Sequence, residues 1–240
     1  FFNHIPEVIK TIESYDTTTV RASVGNYLIG KYISENSEAK VIFNGDGSDE
    51  LMGGYLYTKM APNHYEFDKE CKRLLKDIHL FDVLRSDRCI STNGLEPRTP
   101  FLDRTFTDYY LSIPSKMRYE STKQQEKFLF RKAFDKDYLP EEILWRKKEA
   151  FSDGVSSLQR SWYQIIEEKV QQQDTVKYDS SIEYNYNSPQ TLEQLYYRTI
   201  FENFYPNMGY VIPYFWMPKY INSNDASART LDVYNDNNSN

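Results

Sequence analysis

The stretch GDGSDELMGGY, from Gly45 to Tyr55, sets three acids beside four glycines and a serine. Asp46, Asp49 and Glu50 bring negative charge; Gly45, Gly47, Gly53 and Gly54 bring backbone freedom; Ser48 offers a hydroxyl. Backbone N–H groups of a Gly-rich turn, backed by the N-terminus of a following helix, form a cradle for anions. Here the carboxylates would repel a bare phosphate. A divalent cation between them removes the conflict, because Mg²⁺ bridges one or two carboxylates and several phosphate oxygens. The turn therefore reads as a metal–polyphosphate site with Asp49 as the metal ligand. The bland alternative is a solvated turn whose Asp49 caps the next helix. Further along, Arg146, Lys147 and Lys148 form a cluster that, on charge alone, suits a solvated basic run.

Such a site needs elements to hold it. Ala39 to Phe43 is apolar and bounded by the Gly turn, which predicts one fully buried strand. A helical rhythm precedes it from Arg21 to Ser34, and a helix is expected to start at Asp49. Helix, strand, turn and helix make one unit of a parallel α/β sheet, in which ligands gather at the carboxyl ends of strands. Other amphipathic helices are predicted over Ile5 to Ser14, Tyr65 to Asp77, Phe81 to Ile90, Lys123 to Phe134, Leu158 to Gln171 and Thr191 to Phe204. Residues Tyr15 to Thr19 break the first two helices apart, with Asp16 as a turn former. Thr18 and Arg21 share a helix face if the helix begins near Thr18; an N-cap and a surface cation are the even alternatives. Residues 222–240, rich in Asn, Asp and Ser, are expected to form a flexible tail.

Bulk properties narrow the classes. The chain has 240 residues and a net charge of −6, which argues against general binding of nucleic acid, a process that draws on basic contacts to phosphate. No apolar run approaches the roughly 18 residues of a membrane span. Two isolated cysteines point away from a disulfide framework and toward a reducing, cytoplasmic setting. His4, His64 and His79 show no zinc spacing.

Four long segments, in order, resemble the asparagine synthetase family in its glutamine-hydrolysing, animal-type form. They are NGDGSDELMGGYLYTKMAPN, the run LFDVLRSDRCISTNGLEPRTPFLDRTF from Leu80 to Phe106, LPEEILWRKKEAFSDG from Leu139 to Gly154, and PYFWMPKYINSNDASARTL from Pro213 to Leu231. The resemblance implies a Rossmann-like α/β fold of the ATP-pyrophosphatase (adenine nucleotide alpha hydrolase-like) type. Residues 1–221 are then the carboxy-terminal part of a synthetase domain, mostly helical and holding part of the parallel sheet. It implies ATP and Mg²⁺ as cofactors, and aspartate with ammonia or glutamine as substrates. An amino-terminal glutaminase domain, headed by a Cys nucleophile, and an SGG-x-DSS loop for the ATP pyrophosphate are expected upstream of Phe1. Without them this stretch alone should not complete ATP activation. A homodimer is left open.

Residue by residue, the resemblance places Asp49 on Mg²⁺ and pyrophosphate, and Asn44, Gly45, Asp46, Gly47 and Ser48 in the pyrophosphate loop. Lys148 matches the lysine that contacts phosphate, and Glu149 is expected to pair with its basic neighbours. Thr18 and Arg21 match positions tied to synthetase activity. Asp46 stands where the family has Glu, the group that handles a proton as ammonia attacks; Asn44 replaces a Ser. Glu96, Arg98 and Asp103 fall in a loop near the aspartyl-adenylate pocket, although a buried structural Arg–carboxylate pair accounts for them equally well. Two other readings stay open: a relative that amidates or cyclises another carboxylate, and a non-catalytic binder of nucleotide or partner.

Overall fold

The computed structural model describes residues 1–136, 138–157, 159–173 and 183–230. Helix α1 (Ile5–Ile12) carries Ile5, Val8, Ile9 and Ile12 at helical spacing, all fully buried. It ends at Glu13, which turns left-handed. Helix α2 (Thr17–Asn36) then begins at an Asp16 cap, whose carboxylate accepts from the Thr19 N–H at 2.9 Å and its hydroxyl at 2.8 Å. That bond satisfies one of the donors a helix start leaves open. Asp16, not Thr18, is thus the cap, and the helix starts earlier than its apolar rhythm.

Strand β1 (Val41–Phe43) pairs in parallel with β2 (Glu96–Arg98), with Val41 opposite Glu96 and Phe43 opposite Arg98. The parallel sheet is as expected, but β1 is not fully buried. Ile42 is half-buried whereas Phe43 on the other face is 76% exposed. One face of this pair is covered among the described residues, so the strand alternates inward and outward. Its partner runs through Pro97, in a segment expected to form a loop; proline is tolerated because, among the described residues, this is an edge strand.

Helix α3 (Ser48–Met52) follows the acidic turn, and α4 (His64–Asp77) and α5 (Asp82–Ser91) come next. Helix α6 (Arg104–Ser112) is capped by Asp103. The helix expected from Lys123 to Phe134 is two helices, α7 (Ser115–Gln124) and α8 (Phe128–Ala133). The break falls at Lys127, which sits at φ 57°. Short helices α9 (Glu141–Leu144) and α10 (Phe151–Gly154) flank the basic loop; α11 (Trp162–Gln171) and α12 (Leu192–Phe204) complete the α-helices among the described residues. The predicted start of α11 at Leu158 lies outside the described residues.

The main core joins α1, α2, α11 and α12 through Ile9, Val24, Ile166, Tyr197 and Phe201. A second core of Leu56, Tyr57, Leu74, Phe81 and Trp216 takes in Ile221, Ala226 and Ala228. This corrects the expectation of a flexible tail over residues 222–230: apolar side chains and buried Ser227 hold the segment to the body. Residues 231–240 lie outside the described residues.

The turn between β1 and α3 depends on one glycine. Gly47 adopts φ +88°, and a Cβ there would lie 2.3 Å from Leu102 Cδ2. Gly45 has open space around its Cα. We expect Gly47→Ala to cost about 1–3 kcal/mol, through left-handed strain and overlap. Gly45→Ala should stay within about 0.5 kcal/mol of wild type. Urea denaturation of the two variants side by side checks this; equal losses would contradict it.

Candidate active site

The turn lies at the carboxyl end of β1. The Asn44 N–H continues the ladder to the Arg98 carbonyl at 2.9 Å, and its side-chain oxygen accepts from the Asp46 N–H at 3.2 Å. This turn, held by an Asn side chain, hands the chain to α3. Ser48, Asp49 and Glu50 form the first turn of that helix. Gly47, rather than Asp49, occupies the cap position, so the bland reading of Asp49 as a helix cap does not hold.

A cavity of about 760 Å³ opens in front of the turn. Gly45, Asp46, Ser48 and Asp49 line one wall, and Thr18 of α2 joins them. Lys127, just before α8, and Arg146, Lys147 and Lys148 of the basic loop bring positive charge to it. The basic run thus borders the cavity as well as solvent.

Asp49 sits between two of these cations. Lys127 Nζ lies 2.8 Å from Oδ1 and Lys148 Nζ 3.0 Å from Oδ2. Gly54 makes room for the carboxylate, since a Cβ there would meet Asp49 Oδ1 at 2.0 Å. Burial pushes the Asp49 carboxyl upward, but Lys148 and Lys127 outweigh it and hold it well below the usual carboxylate range.

The neighbouring acids behave differently. Burial raises the pKa of Asp46, and the Arg85 guanidinium, 3.9 Å away, opposes this without cancelling it. Glu50 is pushed well up by burial first and then by Asp82 and Asp49, while the Tyr55 hydroxyl donates to it. Arg85 also pairs with Asp82. One short turn therefore holds an acid kept ionised and two acids biased toward holding a proton.

Not every expected residue reaches the cavity. Arg21 is buried rather than a surface cation, and it is bound on both sides. Its guanidinium donates to Glu193 at 2.8 and 2.6 Å and to Asp225 at 2.7 and 2.8 Å. It borders a much smaller pocket shared with Thr18. Glu96 and Arg98 pair with each other on the exposed sheet edge, with side chains 57% and 59% accessible. Asp103 is exposed and caps α6, accepting from the Phe106 N–H at 2.9 Å. None of the three lines the cavity, and the alternative of a buried pair fails as well, because Glu96 and Arg98 are exposed among the described residues. Glu149 pairs with Arg229 at 2.6 Å, a partner from the carboxy-terminal segment.

Sequence reasoning did not single out Lys127, Asp82, Arg85 or Tyr55 as site residues. No local signal marks Lys127, because its place depends on a helix break that the apolar rhythm conceals. Arg85 and Asp82 lie three apart on α5, a spacing that signals a pair but not its neighbours.

The fold and site together define a mostly helical α/β chain with a cation-rimmed cavity at the carboxyl end of a parallel strand. The asparagine synthase family model matches residues 1–66 and 59–210. The chain is 51% identical over 233 residues to the asparagine synthetase [glutamine-hydrolyzing] of Rattus norvegicus, 49% to that of Homo sapiens and 48% to that of Gallus gallus. Each match covers 96% of this chain and 41% of the relative's length. The chain belongs to the asparagine synthase family.

The Asp49 ion pairs set a pH dependence. Its carboxyl sits lower in the fold than the ordinary value of about 3.9, so its contribution is complete above that value and fades as pH falls through the folded one. We expect Asp49→Asn to cost about 1–3 kcal/mol at neutral pH. The difference from wild type should shrink once pH drops below about 4. Denaturant titrations at several pH values measure the gap; one that is constant down to the acid limit would remove ion pairing as its cause.

Proposed function

We propose that this chain is the carboxy-terminal part of the synthetase domain of an ATP-dependent amide-forming ligase, with the Rossmann-like ATP-pyrophosphatase fold. The reaction joins L-aspartate to AMP as a β-aspartyl-adenylate, releases pyrophosphate, and then replaces AMP with ammonia drawn from glutamine to give L-asparagine. The observation that carries this reading is the grip of Lys127 and Lys148 on Asp49 at a strand end. It joins cations suited to phosphate with an acid kept ionised. The relatives' names, asparagine synthetase [glutamine-hydrolyzing], agree with it. They also make an upstream glutaminase domain part of the proposal.

Lysine is a compact cation suited to charge developing on phosphoryl oxygens. Lys148 and Lys127 have that charge at hand for a departing pyrophosphate. The residues fit Mg²⁺ held mainly by its phosphates. Asp49 is the acid of the turn held ionised, whereas Asp46 faces Arg85 and Glu50 accepts from Tyr55. Among the described residues no group of three carboxylate, His or Cys ligands could cage a metal ion. An ion shared between one carboxylate and a polyphosphate suits the habit of Mg²⁺. When bound, it would neutralise charge on the pyrophosphate.

Asp46 is the proton handler in this reading. Burial raises its pKa toward the range in which a carboxylate accepts a proton effectively. Its side chain is one methylene shorter than Glu, and a misplacement of about 1 Å costs on the order of 100-fold. A cytoplasmic setting belongs to the same proposal. Cys71 and Cys89 support it as buried free thiols, each pushed up to about 12 by burial. No helix among the described residues is long and apolar enough to cross a membrane.

The decisive assay is aspartate-dependent pyrophosphate release from ATP by the full-length protein, with the amide product identified. Lys148→Ala should lower the rate by roughly 100- to 1,000-fold, the scale of losing one preorganised charge contact. Asp46→Glu should raise asparagine formation, and an unchanged or lower rate would sink the reach argument. ATP binding without pyrophosphate release would replace the ligase with a nucleotide binder. A different amide would assign another carboxylate substrate.

A further inference from the structure

Lys148 lies on a segment, Arg146 to Ala150, that has no regular structure of its own. A lysine on such a segment needs an outside support to stay within reach of one carboxylate. That support comes from about 80 residues further along. The Arg229 guanidinium donates to the Glu149 carboxylate at 2.6 Å, to the Asp153 carbonyl at 2.9 Å and to the Ser157 carbonyl at 2.7 Å. Two of these acceptors are backbone atoms, so Arg229 fixes the course of the chain on the far side of Lys148. Ser227 adds a hydroxyl donated to Asp153 at 3.1 Å.

We propose that residues 223–230 form a strap that positions Lys148, with Arg229 as its positioning residue. The inference rests on the reading of Lys148 as a phosphate-binding cation. The strap is tied down behind. Asp225 accepts from the Ser227 N–H at 2.7 Å and from both terminal nitrogens of Arg21. Arg21 in turn holds Glu193 of α12, to which the Tyr197 hydroxyl donates at 2.8 Å. The line from the core to the lysine loop thus runs through planar, multi-donor guanidinium contacts at both ends. Lysine does not reproduce such a fork. Arg21 finds its role here too: it acts on the site through the strap and does not itself line the cavity.

The test uses the full-length protein and inorganic pyrophosphate as the titrant, with affinity read by calorimetry for wild type, Arg229→Ala, Lys148→Ala and the double variant. Each single change should weaken binding about tenfold, the scale of one charge-assisted hydrogen bond. The double variant should bind no more weakly than Lys148→Ala alone, because the strap acts through that lysine. A merely structural Arg229 would cost the same in both backgrounds, so additive losses overturn the inference. Wild-type affinity in Arg229→Ala overturns it as well. Wild-type affinity in Lys148→Ala instead removes the phosphate reading on which the strap depends, a separate and recognisable failure. Should Arg229→Ala not fold, Arg229→Lys and Ser227→Ala replace it. Intermediate affinity in both sustains the strap, and wild-type affinity in both refutes it.

Discussion

Negative charge taken out of water must be paired or protonated, and this chain crowds four carboxylates around one acidic turn. Asp46, Asp49, Glu50 and Asp82 cannot all be ionised there without cations, since desolvation and mutual repulsion both oppose it. The structure distributes the partners unevenly. Asp49 receives two lysines, Asp82 and Asp46 share one arginine, and Glu50 receives a tyrosine hydroxyl. Each partner arrives from a different element. Lys127 requires the break before α8, Lys148 requires the loop before α10, and Arg85 requires α5 beside the turn. The charge constraint at the turn therefore accounts for connections that would otherwise look arbitrary.

The same logic extends outward along α2. Asp16 caps the helix with one oxygen and accepts the Trp216 N–H at 2.7 Å with the other. Five residues on, Arg21 joins α12 to the carboxy-terminal segment. Desolvation takes back much of the energy of buried ion pairs, and their firmest effect is to fix which elements meet. Here the Arg21 pairs fix α2 against α12 and the carboxy-terminal segment, and the Asp16 hydrogen bond adds Trp216. Aromatic and aliphatic packing around Ile9, Tyr197 and Phe201 supplies the bulk of the burial on which that register rests.

What the sequence discloses and what it hides divide along the range of the interaction. Helix α1 is written in the spacing of Ile5, Val8, Ile9 and Ile12, and the acidic turn in its glycines. Both are local. The cavity wall of Gly45, Asp46, Ser48 and Asp49 follows from the turn, and Thr18 and Lys148 line the same cavity. The break at Lys127 is hidden, because residues on both sides share a helical rhythm and the left-handed residue is not glycine. The exposure of Phe43 is hidden too: an apolar strand has the same sequence whether one face or both are covered. Residues 222–230 have the composition of a mobile tail, yet Asp225, Ser227 and Arg229 each find a distant partner. Their short polar side chains are as suited to bonding as to solvation, and only the fold decides. Glu96 and Arg98 show the reverse: a charged pair in a stiff segment looks built for a site, and the sheet leaves it on an open edge.

Asp46 and Asp49 are three residues apart on one turn, yet their carboxyls shift in opposite directions. Burial acts on both in the same sense, so it does not separate them. Distance and number of cations do. Asp49 has two ammonium groups within 3.0 Å, whereas Asp46 has one guanidinium at 3.9 Å that also serves Asp82. Coulomb attraction falls with distance and is divided when a cation is shared, so burial wins at Asp46 and loses at Asp49. The result is a division of labour within four residues: a carboxylate that remains charged, beside one that is able to take a proton. The proposed adenylation followed by amide formation asks for both, the first while pyrophosphate leaves and the second while ammonia attacks. A turn with the same acids and no lysines would lose the charged one, because burial would then raise Asp49 as it raises Asp46.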